Sequence, residues 1–80
     1  MIETLEEKVL EILKETFELD SVDKTISSQT CPAWDSMGQL NLIADLEEAF
    51  GICIEPEEFG EMKSVDEIVR VLKRKGVKQA

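Results

Sequence analysis

An aspartate, a serine and a methionine, Asp35-Ser36-Met37, stand where a proline-bearing loop turns into a strongly amphipathic run, "PAWDSMGQLNLIADLEEAFGI" (residues 32–52). A serine at that junction offers a primary hydroxyl at the end of a rigid element, where another protein can reach it. The chain contains no histidine. The commonest general base, the commonest metal ligand and every Ser-His or Cys-His arrangement are therefore missing. Self-contained catalysis is not expected. Taken locally, an ordinary helix N-cap pair accounts for Asp35 and Ser36 without any modification.

The elements that must hold this serine follow from hydrophobic spacing. Leu5, Val9, Ile12, Leu13 and Phe17 repeat at helical intervals, with charged residues between them. This first helix starts near Glu3 or Thr4 and fades at "ELDSVDKT", a stretch rich in turn formers. A long connection over residues 18–34 follows. Leu19, Val22 and Ile26 are spaced to pin it to the helices. Asp20 and Asp23 lack the ladder of ligands that a calcium loop requires.

A second helix is expected to begin at Asp35 or Ser36. Met37, Leu40, Ile43, Leu46, Ala49 and Phe50 form its buried face, and Gly51 stops it. After an extended apolar piece, Pro56 opens a short helix that Gly60 closes. Ser64-Val65-Asp66-Glu67 then forms a capping box for the last helix. Its inner face is Val65, Ile68, Val69 and Leu72, and Gly76 ends it, leaving "VKQA" as a frayed tail. The expected fold is an all-α bundle of three main helices and one short helix, with a long loop between the first two. It occupies residues 1–80 as one domain.

Composition narrows the function. Eighteen acidic side chains against nine basic ones give a net charge of −9, which argues against nucleic acid and for basic protein partners. Residues 25–62 carry eight acids, Asp35, Asp45, Glu47, Glu48, Glu55, Glu57, Glu58 and Glu61, and no Lys or Arg; five of the nine basic residues lie in residues 70–78. Cys31 and Cys53 lack metal-site spacing and read as reduced thiols, with Cys53 either packed between Ile52 and Ile54 or turned outward by their alternation. The acidic, amphipathic first residues do not resemble a signal peptide, and no apolar run approaches the ~20 residues that span a bilayer. A soluble, cytoplasmic, metal-free monomer is expected. Trp34 is either a partner contact or a loop anchor.

With these residues in place, the sequence resembles the acyl carrier protein family. "DSM" stands for the family's Asp-Ser-Leu, "LNLIADLEEAFGI" for its second helix and "SVDEIVRVL" for its last, so that the likeness runs along essentially the whole chain. The resemblance implies that the protein is not an enzyme. Ser36 would receive phosphopantetheine from coenzyme A through a magnesium-dependent phosphopantetheinyl transferase, with Asp35 and Met37 completing the attachment motif. The arm's thiol would then carry acyl groups as thioesters. It also implies partner contacts on the acidic face through Asp45, Glu47 and Glu48, and an acyl cleft drawn from Leu46, Phe50, Ile54, Phe59, Met62 and Ile68.

The implied partners are the transferase, a loading ligase or acyltransferase, and synthase-type enzymes with basic docking surfaces. Ala33, Trp34, Met37, Gly38 and Asn41 depart from the fatty-acid carriers, two of whose early helix positions are often acidic. The Trp-Asp-Ser sequence resembles stand-alone carriers of specialised lipid or polyketide-type pathways. An aminoacyl or peptidyl carrier, including the D-alanyl type that also bears Asp-Ser-Met, and an unmodified acidic interaction module are the competing classes.

Overall fold

A computed structural model describes residues 4–77. Four helices follow one another: α1, Leu5–Thr16; α2, Ser36–Phe50; α3, Pro56–Phe59; and α4, Val65–Arg74. The all-helical bundle with its long first loop is as expected. Among the described residues the only strand-like pairing is an isolated bridge between Ser27 and Ser64. Glu3, the alternative start of α1, and residues 78–80 of the expected tail lie outside the described residues.

Each long helix starts on a side-chain cap. Thr4 Oγ1 accepts from Glu7 N–H at 3.1 Å, Asp35 Oδ1 from Gly38 N–H at 2.9 Å, and Ser64 Oγ from Glu67 N–H at 3.3 Å. The capping box of α4 differs in its return bond. Glu67 Oε1 accepts from the backbone N–H of Lys63 at 3.2 Å, one residue earlier than the reciprocal pattern requires. The chain leaves α2 through Gly51 in the left-handed conformation, φ 63°. Gly60 closes α3 in an ordinary right-handed one, φ −68°, so it is not used for conformational freedom there.

The core gathers Leu5, Val9 and Leu13 from α1 and Phe17 at its C-cap with Leu42, Ile43 and Leu46 from α2 and Val65, Ile68, Val71 and Leu72 from α4. α1 packs against both α2 and α4. The long loop is pinned as expected, with Leu19, Val22 and Ile26 half-buried against this core. Ser28 N–H donating to Lys63 O at 2.9 Å ties the loop to the residues before α4. Val77, expected to fray, instead packs on the core and donates its N–H to Leu72 O at 3.0 Å.

Two faces are set differently from the sequence expectation. On α4, Val71 is buried and Val69 only half-buried. On α2 the buried stripe is Gly38, Leu42, Ile43 and Leu46, while Met37, Leu40 and Ala49 are exposed and Phe50 is half-buried. The stripe is rotated because the start of the helix presses its backbone, through Gly38, against the loop.

Gly38 shows how close that approach is. A Cβ there would lie 2.1 Å from Ala33 O and 2.9 Å from Phe17 Cε1. Because one of the obstructing atoms is backbone, relief would require the loop to move. Helix propensity alone makes Gly→Ala favourable by about 1 kcal/mol. We expect Gly38→Ala to destabilise instead, by about 1–3 kcal/mol as overpacking does. Urea unfolding reads the sign directly, and a stabilised variant would contradict this packing.

The charge separation seen in the sequence is partly undone in space. Arg74 Nη2 lies 3.0 Å from Glu58 Oε2, Arg74 Nη1 3.3 Å from Glu61 Oε1, and Lys75 Nζ 2.6 Å from Glu58 Oε1. The cations that end α4 thus hold α3 and its following turn. Lys75 first, then the Glu55 backbone N–H and Arg74, lower the Glu58 pKa from 4.5 to about 2. A depressed carboxyl pKa adds stability above the unfolded value, and this is lost as pH falls through the folded one. The stability difference between wild type and Glu58→Gln should be full above pH 4.5 and vanish by about pH 2. Thermal unfolding of both proteins across that range checks this, and a difference that persists below pH 2 would mean another contact carries it.

Candidate functional site

Asp35 and Ser36 divide two tasks between them. Asp35 is the N-cap of α2, in extended conformation, and Ser36 is the first helical residue. The Gly38 N–H that the aspartate caps is therefore not served by the serine. Ser36 is exposed, held by a capped helix on one side and a pinned loop on the other.

Beside it opens a groove of about 560 Å³. Trp34, Leu40 and Phe59 supply apolar lining, and Ser28, Asp35, Ser36, Gln39 and Lys63 supply polar groups. Among the described residues, Met37 and Leu40 are the large hydrophobic residues left open to solvent, at 75% and 56% exposure. Apolar side chains flanking an exposed hydroxyl give a partner both something to grip and something to modify.

Trp34, offered by sequence as partner contact or loop anchor, is an anchor. It is 2% exposed, and its ring lies 5.6 Å from that of Phe17. Its Nε1–H donates to Gln39 Oε1. A buried indole needs such an acceptor, and the loop supplies the ring to the core rather than to a partner.

The expected cleft residues separate. Leu46, Met62 and Ile68 are completely buried and Ile54 is 3% exposed. Phe50 and Phe59 are half-buried. Of the six, only Phe59 lines the groove beside Ser36. The structure adds Ser28, Gln39, Leu40, Gly60 and Lys63 to that groove. Sequence reasoning missed them because they come from three separate segments, and Leu40 was assigned to the core.

The expected acidic contacts also separate. Asp45 is exposed but accepts from Thr16 Oγ1 at 2.6 Å, joining α1 to α2. Glu47 is half-buried, and its Oε2 accepts from Ile54 N–H at 2.8 Å, so it holds the segment after α2. Glu48 is exposed. Cys31 is buried, Cys53 is exposed, and they are not joined.

Among the described residues no cluster of three or more His, Cys, Asp or Glu is placed to hold a metal ion. Nor is any helix there long and apolar enough to cross a membrane. No protein-family model matches the chain, and neither a curated protein nor a solved structure matches it. The functional reading therefore rests on the geometry around Ser36.

Proposed function

We propose that the protein is a phosphopantetheine-bearing carrier, with Ser36 as the attachment point. It holds acyl intermediates as thioesters for partner enzymes of a specialised lipid or polyketide-type pathway. The observation that carries this reading is an exposed serine that opens α2 without being its cap, beside an apolar-flanked groove. Such a hydroxyl can be modified without dismantling the helix start.

In the proposed reaction a separate transferase activates Ser36. The serine Oγ forms a bond to the phosphorus that bears the pantetheine arm, and the pyrophosphate bond of coenzyme A breaks. An adenosine bisphosphate leaves, and the hydroxyl proton passes to the transferase or solvent. The carrier supplies position: Asp35 fixes the helix start, and Met37 and Leu40 present apolar surface next to the hydroxyl. Its negative charge favours partners with basic docking surfaces.

The test is incubation with coenzyme A, magnesium and a broad-specificity phosphopantetheinyl transferase, followed by intact mass measurement. The expected product is heavier by one phosphopantetheinyl group. Failure with several unrelated transferases would return Asp35-Ser36 to a helix start in an unmodified acidic module.

A further inference from the structure

Gln39 occupies an unusual position between the groove and the core. Its side chain lines the groove beside Ser36, while its place on α2 precedes the buried residues Leu42, Ile43 and Leu46 at spacings of three, four and seven residues. Those spacings put all four on one helical stripe. The groove meets this stripe at Gln39.

The amide closes that passage with hydrogen bonds on both sides. Its Nε2 donates to Phe59 O at 2.7 Å and to Met62 O at 3.0 Å, and its Oε1 accepts from Trp34 Nε1–H. One side chain thus joins α2, the end of α3, the turn after it and the long loop. Separating α2 from residues 59–62 would leave Met62 O and an indole N–H without partners and leave Phe59 O with only the Met62 N–H at 3.2 Å, which is unfavourable for groups in a part-buried place. Behind this seam, Leu46, Met62 and Ile68 are fully buried.

We infer that Gln39 is a specificity-determining residue that bars acyl chains from the core, so that the protein carries short acyl groups lodged in the surface groove next to Ser36. This rests on the carrier reading above. A short group lies against Leu40 and Phe59 without disturbing the seam. A longer alkyl chain finds no apolar continuation, because the next surface inward is the amide and the two carbonyls it holds.

The experiment loads the full chain at Ser36 with acetyl- or octanoyl-pantetheine, using the transferase and the corresponding acyl-coenzyme A. Side-chain methyl spectra are recorded for Leu46, Ile54, Met62 and Ile68, together with the melting temperature. The expected result is that both forms show the same core methyl positions and the same Tm, with shifts confined to Leu40 and its neighbours. In Gln39→Leu, whose seam is broken but whose stripe is apolar, the octanoyl form should move the core methyls and raise Tm over the acetyl form.

Core shifts and a raised Tm on octanoylation of the wild type would overturn the inference while leaving the carrier reading intact. They also decide the matter should Gln39→Leu fail to fold. Absence of any modification at Ser36 would remove the carrier reading and this inference with it.

Discussion

Ser36→Ala is expected to fold as the wild type does and to be completely refractory to phosphopantetheinylation. The first half follows from the cap. Gly38 N–H is satisfied by Asp35 Oδ1, not by Ser36. The serine occupies the first helical position on the surface, where substitutions alter stability by no more than about 0.5 kcal/mol. Asp35→Ala, in contrast, removes the cap and should lose about 0.5–2 kcal/mol.

The second half follows from chemistry, because alanine has no oxygen to form the bond to phosphorus. Urea unfolding and intact mass on the same samples separate the two effects. Modification of the alanine variant at another serine, Ser28 in the same groove being the nearest test case, would remove Ser36 from its proposed role. A large stability loss in Ser36→Ala would show that the serine supports the helix start after all.

Trp34→Ala is expected to unfold most of the protein at 25 °C. The indole is 2% exposed, packs on Phe17 and donates to Gln39. Its removal leaves a cavity in the core and an orphaned amide oxygen in the seam above it. Truncating a buried aromatic to alanine costs about 3–5 kcal/mol. A core of this size supplies about 3–5 kcal/mol in total, so the two magnitudes are comparable.

Trp34→Phe keeps a ring against Phe17 and loses chiefly the hydrogen bond, a loss of about 1–3 kcal/mol including the unpaired acceptor. It should remain folded with a lowered urea midpoint. Far-UV circular dichroism distinguishes the variants. Should Trp34→Ala retain wild-type stability, the residue would be a surface contact and the anchoring role would be wrong.

These two neighbours mark where sequence reading succeeded and where it stopped. The helices, the start of α2 at Asp35 or Ser36, the left-handed Gly51 and the pinning of the loop by Leu19, Val22 and Ile26 were all legible. They depend on interactions within a few residues or on a periodicity that the chain itself displays. The outward turn of Cys53 was one of two readings left open by its alternation with Ile52 and Ile54, and packing selected it.

The rotation of α2 was not legible. Met37 and Leu40 look like core residues by type, and Gly38 looks like a helix breaker. What reverses their parts is the Ala33 carbonyl and the Phe17 ring lying against the backbone of Gly38. Those atoms come from the preceding loop and from the residue that caps α1, and no window on α2 contains them.

Charge behaved in the same way. Glu58 and Glu61 belong to an uncompensated acidic run in the sequence, yet Arg74 and Lys75 neutralise them once α4 folds back alongside α3. Glu47 has the composition of a docking residue and the position of a backbone ligand to Ile54. By itself the sequence determined an all-helical chain with Asp35-Ser36 at the start of its second helix, because caps and hydrophobic periods are local. Only the tertiary structure decided which face of that helix is buried, which acids remain open to a partner, and that Gln39 joins three segments beside Ser36. Those outcomes depend on atoms that meet across loops, where side-chain type along the chain carries no record of distance.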